Sequence, residues 1–227
     1  IKKTLQYEMH GVLNTGKVNG TGMSTGSYNV FAWALHGKGE FSFSATSALG
    51  LNLRSLSGNE PGSTSTIHQF QVLDGGDGDA GSLLSLLFGG GPFNHQSMFY
   101  HKTATARIFN ATTGYPVVND PGITSFEVYF EQFLFDKKLR IRLIAGYAMT
   151  TRAITGGERS LGTEVDLALR YRPNKNLEFF LTFAGLLPGK ALGPTIALDN
   201  ADLDLDDQRN FGDDPAFKVE TMARVRF

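Results

Sequence analysis

The sequence predicts an all-β fold, an antiparallel transmembrane β-barrel of about ten strands, and three observations predict it. The closing segment, Phe217 to Phe227, alternates without a break. Phe217, Val219, Thr221, Ala223, Val225 and Phe227 point one way, and Lys218, Glu220, Met222, Arg224 and Arg226 the other. That is the period of a strand with one face toward lipid and one toward a polar lumen, and its length suits a membrane crossing of about 9–11 residues. Next, the segments between alternating runs are short and long by turns. Finally, hydrophobic residues make up 41% of the 227 and charged residues only 19%, against roughly 25% charged in a typical soluble domain. No apolar run reaches the 18 or so residues of a membrane helix.

Reading backward from the end, Leu177, Phe179, Leu181 and Phe183 alternate with Glu178, Phe180, Thr182 and Ala184. Before the compact turn Pro173-Asn174-Lys175-Asn176, Val165, Leu167, Leu169 and Tyr171 alternate with Glu164, Asp166, Ala168 and Arg170. Another strand runs from Leu139, with Ile141, Leu143, Ala145, Tyr147 and Met149 opposite Arg140, Arg142, Ile144, Gly146, Ala148 and Thr150. Asp136-Lys137-Lys138 joins it to a strand over Ile123–Phe135. If Phe227 lies on the periplasmic side, the turns at 136–138 and 173–176 fall inside and are short. The segments 153–162 and 188–216 then fall outside and are longer, as barrels of this kind require. Toward the N-terminus the expected strands are Leu5–Leu13, one around Phe31, Trp33 and Leu35, a turn at Gly37-Lys38-Gly39, and one over Phe41–Leu53. Ile67–Leu73 and Met98–Phe109 follow. A Gly/Asp-rich insertion at 74–97 is placed by the same parity on the periplasmic side or in the lumen. The whole chain, 1–227, reads as one barrel domain. Ile1-Lys2-Lys3-Thr4 shows neither an initiator Met nor a signal-peptide core, which fits a mature chain or a fragment, and the C-terminal part of a longer barrel is the favoured expectation.

Several function classes fall away at this level. The chain has no cysteine, so neither disulfides nor thiolate metal sites are expected. A net charge of -1 gives no reason to expect nucleic acid. His10, His36, His68, His95 and His101 show neither metal-ligand spacing nor the partners of a catalytic triad, so no enzyme and no cofactor is expected. Asp74, Asp77 and Asp79 among glycines could offer oxygen ligands to Ca²⁺, but the EF-hand glycine and closing glutamate are missing. They read better as a solvated turn. The external stretch carries Asp199, Asp202, Asp204, Asp206, Asp207, Asp213 and Asp214 against Arg209, a solvated acidic loop or a site for cations at a lipopolysaccharide surface.

The basic residues of the lumen side are the candidate site. Parity puts Arg140, Arg142, Arg170, Arg172, Arg224 and Arg226 at the periplasmic ends of their strands, all pointing inward, with Glu131 and Glu178 at the same level. A basic ring in a narrow aqueous lumen attracts anions and rejects cations. The alternative is a bracing ladder between these arginines and Glu127, Glu131, Glu164 and Asp166. Phe227, with Val225 two residues before it, resembles the signal that outer-membrane barrels present to their assembly machinery. The expected partners are the lipid bilayer, lipopolysaccharide, that machinery and other envelope proteins. The expected location is the bacterial outer membrane.

Gly162, Glu164, Val165, Asp166 and Leu167, followed by Asn176, Leu177, Pro188 and Gly189, resemble the closing region of alginate-export-type outer-membrane barrels. The Asp/Gly-rich insertion is similar to a loop such barrels carry several strands earlier. The resemblance covers the C-terminal third well and the rest loosely. It implies a roughly eighteen-stranded pore with an arginine-bearing lumen that passes an anionic polysaccharide. About ten strands fall short of that pore, so either further strands precede these or the barrel is smaller. The functional expectation is therefore a channel for anionic solutes or polysaccharide. Its alternative is a structural barrel that anchors a larger envelope complex.

Overall fold

The computed structural model describes residues 3–19, 27–59, 66–68, 122–152, 158–192 and 214–226. Nine strands among them form one sheet: β1 (Thr4–Asn19), β2 (Ser27–Ser42), β3 (Ser47–Leu56), β4 (Thr66–Ile67), β5 (Ile123–Leu134), β6 (Leu139–Thr150), β7 (Ser160–Asn174), β8 (Leu177–Pro188) and β9 (Ala216–Val225). A single turn of 3-10 helix covers Lys190–Leu192, and no helix of the described residues is long and apolar enough to cross a membrane. The sheet is an antiparallel meander in the order β1-β2-β3-β5-β6-β7-β8-β9. The two-residue β4 lies beside β2 in parallel. Among the described residues no pairing joins β1 to β9, so the sheet is open and both are edge strands.

The connections segregate. Residues 43–46, 135–138 and 175–176 are short turns at one end, while the connections 20–26, 57–122 (which carries β4), 151–159 and 189–215 begin and end at the other. At the short-turn end, Phe135, Asp136 and Lys137 all take positive φ (51°, 54° and 66°), and Lys138 N donates to Phe135 O at 3.0 Å. Positive φ at both central residues gives the tight hairpin twist that matches flanking strands. At the long-loop end, Ser55 Oγ, Thr124 Oγ1 and Thr151 Oγ1 form a hydroxyl chain (2.7 and 3.2 Å), and Thr151 Oγ1 donates to Leu56 O at 2.7 Å.

Three expectations are corrected here. Gly37-Lys38-Gly39 is not a turn, because β2 passes straight through it. The turn lies at 43–46, where Thr46 N donates to Ser44 Oγ at 3.1 Å. Phe41–Leu53 is accordingly split between β2 and β3. Third, β3 pairs directly with β5, with Leu56 opposite Ile123, so no strand stands between them. Both ends of 57–122 therefore lie at the long-loop end, and the parity argument that put the insertion at the other end loses its basis. The insertion itself, Met98–Phe109, most of Ile67–Leu73 and most of 188–216 lie outside the described residues.

Paired residues across a sheet share a face. Following the register from Ser42 through Ala48, Glu131, Arg142, Ala168 and Thr182 to Glu220 traces one face. That face is charged and covered: Glu127, Glu164, Asp166 and Glu178 are buried. A small apolar cluster (Ile123, Ile144, Ala148, Leu161, Leu186 and Ala191, with Tyr129) lies among them toward the long-loop end. The opposite face carries Leu49, Leu51, Leu53, Phe126, Phe130, Leu143, Tyr147, Val165, Phe179, Phe183 and Leu187, all exposed. Charged side chains are almost never fully buried in soluble proteins unless paired, and large apolar faces are rarely left open. From β3 to β8 this sheet covers its charged face and leaves its apolar face open.

Candidate functional site

The charged face is built by the alternation of β5 to β9, with two irregularities in β7, one at Leu161 and one between Tyr171 and Asn174. Leu161 is an extra residue in β7, where the register slips against Ala148 and Met149 of β6. Gly162 beyond it has φ +131°, and a Cβ there would overlap Leu187 O. A glycine thus permits the bulge. From Gly162 to Tyr171 the register with β6 is unbroken, which keeps Glu164, Asp166, Ala168 and Arg170 on the charged face. Gly162 pairs with Pro188, and Gly189 N donates to Leu161 O at 3.0 Å. Residues far apart in the sequence motif therefore meet at one corner.

All six arginines singled out in the sequence lie on the charged face near the short-turn end, and two carboxylates hold them. Glu178 on β8 is the hub of the first group. Its side chain is 1% exposed, with Arg170 Nη2 at 2.6 Å, Arg172 Nε at 3.3 Å, Arg226 Nη2 at 3.5 Å and Arg224 Nη1 at 4.0 Å. The register explains the convergence. Glu178 sits opposite Arg224 on β9, and Phe180, two residues on, sits opposite Arg170 on β7. The guanidinium carbons of Arg170 and Arg224 lie 5.7 and 5.4 Å from the Phe180 ring centroid, so the ring is flanked by cations.

Glu131 on β5 is the second hub. Arg140 Nε donates to its Oε2 at 2.7 Å, and Arg142 donates from Nε at 2.9 Å and Nη2 at 2.5 Å to the same atom. The Arg142 guanidinium then lies 4.9 Å from the Tyr129 ring centroid. Tyr129 crosses the sheet: its hydroxyl donates to Glu40 Oε2 on β2 at 2.6 Å, and its ring covers Gly50 on β3, where a Cβ would overlap it. One side chain thereby ties three neighbouring strands. Sequence reasoning missed this contact. Its only signal is a glycine in mid-strand, which often marks close approach of another group.

Nearer the middle of the face, Glu127 accepts from Asn52 Nδ2 at 2.9 Å and Ser125 Oγ at 3.3 Å, and Asn52 Oδ1 contacts His36 Nε2 at 2.8 Å. The His36 ring stacks on His10, centroids 6.1 Å apart, and His10 pairs with Glu8. The chain of contacts therefore runs across β1, β2, β3 and β5. Of the ladder expected between the arginines and Glu127, Glu131, Glu164 and Asp166, the Glu131 rung is present, with Arg140 and Arg142, while Arg170, Arg172, Arg224 and Arg226 meet Glu178 instead. Among the described residues no group of three or more His, Asp or Glu is placed to hold a metal ion. Asp74, Asp77 and Asp79, and the assembly-signal residue Phe227, lie outside the described residues, while Val225 is exposed on the apolar face. No family model matches the chain, and no curated protein matches it either.

Six guanidinium groups against two carboxylates leave this end of the face positive. Unit charges 4 Å apart interact by roughly 4 kcal/mol at an effective dielectric of about 20. The arrangement can therefore hold or steer an anion, and the ion pairs tie β5 to β6 and, separately, β7 and β9 to β8.

Proposed function

We propose that this chain forms wall of a bacterial outer-membrane β-barrel, closed in the membrane, whose lumen favours anionic solutes or an anionic polysaccharide. One observation carries the reading: the covered face holds the charges and the exposed face holds Leu, Phe, Val and Tyr. Such a sheet leaves apolar surface in water unless lipid covers it, and backbone groups in lipid must be paired, which a closed barrel achieves. The segregation of short turns from long connections supports the same reading, with the short turns on the periplasmic side. Phe227 and Val225 would then be read by the assembly machinery, and the long-loop end would meet lipopolysaccharide.

A second reading, a structural barrel within a larger envelope complex, is favoured by one fact. Every one of the six arginines lies within ion-pair distance of Glu131 or Glu178. Planar-bilayer recordings separate the two. The channel reading expects conductance with an anion-selective reversal potential, moved toward cations by Arg170→Glu with Arg224→Glu, and less so in high salt. A non-conducting wild type, or unchanged selectivity in the double variant, gives the lead to the structural reading.

A further inference from the structure

The basic residues of the charged face are not the only ones at the short-turn end. The turn between β5 and β6 carries Lys137 and Lys138, and the turn between β7 and β8 carries Lys175, all exposed. Backbone hydrogen bonds knit these turns together: Arg172 N donates to Lys138 O at 2.7 Å, and Arg226 N donates to Asn176 O at 2.9 Å. Arg172 Nη2 also reaches Lys175 O at 3.4 Å. Lys137, Lys138, Arg172, Lys175 and Arg226 thus lie along one continuous rim. Arg172 and Arg226 keep 41% and 50% of their side chains exposed while sharing Glu178. Asp136 is the acid in the two turns. The described part of the long-loop end is mixed by contrast, with Lys190 facing Glu158 at 3.9 Å and Lys218 facing Glu220 at 2.8 Å.

A second feature of the rim is apolar. Phe135 precedes the lysines in a backbone bent through three successive positive φ angles, and it is 70% exposed. An exposed ring beside exposed lysines is the combination that sits at a membrane interface, ring toward acyl chains and ammonium groups toward headgroup phosphate.

We propose that this rim binds the phosphate headgroups of anionic phospholipid, with Lys137, Lys138 and Lys175 contacting the headgroup and Phe135 seated beside the acyl chains. The proposal rests on the membrane reading above. It is tested on the full chain reconstituted in phosphatidylcholine vesicles, using Trp33→Phe to remove the one tryptophan and Phe135→Trp to place a reporter at the rim. Quenching of that reporter by brominated phosphatidylglycerol is compared with quenching by brominated phosphatidylcholine. The expected result is about a tenfold preference for phosphatidylglycerol, reduced to about twofold by Lys137→Ser, Lys138→Ser and Lys175→Ser together. Equal quenching by the two lipids overturns the proposal and leaves the membrane reading standing. Absence of quenching by either lipid overturns both. Loss of the preference on adding inorganic phosphate at constant ionic strength assigns the rim to free phosphate and overturns the lipid as its ligand. If the reporter variant does not fold, retention of the two lipids by the unaltered chain in native mass spectrometry reads the same ratio, and equal retention again overturns the proposal.

Discussion

Replacing Leu143 by arginine separates a lipid-facing sheet from a water-facing one, because the two environments predict different magnitudes. Leu143 lies four residues into β6, flanked in register by Phe130 and Leu167 on the apolar face, and it is 48% exposed. A rise of about 3.4 Å per residue and a tilt of about 40° put it roughly 10 Å along the membrane normal, within a few ångströms of the centre of an apolar band about 25 Å tall. Arginine there is expected to cost about 2–4 kcal/mol, or roughly 30- to 900-fold in the folding equilibrium. If water covered this face, the substitution would replace an exposed leucine and change stability by no more than about 0.5 kcal/mol. Thr163→Arg is the control: it lies on the same face, close to the long-loop end of β7, where about 0–1 kcal/mol is expected. Urea titrations in vesicles, followed by Trp33 fluorescence, measure both. A Leu143→Arg cost within about 0.5 kcal/mol of zero, or equal costs at the two positions, refutes the reasoning.

Three further outcomes follow from the geometry. Glu178→Gln removes the carboxylate shared by four arginines and is expected to cost about 3–5 kcal/mol, whereas Glu220→Gln, whose pair with Lys218 is a third exposed on each side, should cost less than about 1 kcal/mol in the same titration. Lys137→Gly is expected to stabilise by about 1 kcal/mol, since glycine adopts its positive φ without strain; a loss of stability would show that the lysine side chain contributes more than the backbone relief. Gly50→Ala forces Tyr129 off β3 and should cost about 1–3 kcal/mol, most of which disappears in a Tyr129→Ala background if that ring is the obstacle, as a double-mutant cycle would read.

The strands most legible in the sequence were β6, β8 and β9, because each keeps period two from end to end and needs no information from its neighbours. β2 was misread for a local reason. Gly37 and Gly39 look like a turn in sequence, but in the sheet they stand opposite Met9 and Tyr7 on one side and Leu53 and Leu51 on the other. Both glycines are thus held in a strand paired on each side, and only the cross-strand register reveals it. The true turn relies on serine and threonine hydroxyls at 44 and 46, a weaker signal than glycine. For the site, parity alone brought the six arginines to one face and to the level of Glu131 and Glu178. It could not say which carboxylate each arginine meets, since that depends on the reach of flexible side chains across two strands. Of the ladder with Glu127, Glu131, Glu164 and Asp166 only the Glu131 rung meets these arginines; the other three acids lie further along the strands, where Asn52 and Ser125 serve Glu127.

The pairing of the arginines and their positive field are compatible, and the stoichiometry around Glu178 shows why. Four guanidinium groups on β7 and β9 with no carboxylate between them would repel across a covered face, and that repulsion would oppose the strand register. Two carboxylates there would come closer to balancing the charge. A single buried glutamate on the central strand does something intermediate. It bonds most tightly to Arg170 at 2.6 Å and holds Arg224 loosely at 4.0 Å, while the Phe180 ring receives both cations on its flanks without adding charge. Bracing then fixes the cations in place, and the unneutralised remainder is what an anion in the lumen would meet. Removing Glu178 should therefore lower stability and strengthen anion preference together. A purely structural ladder would show only the first effect.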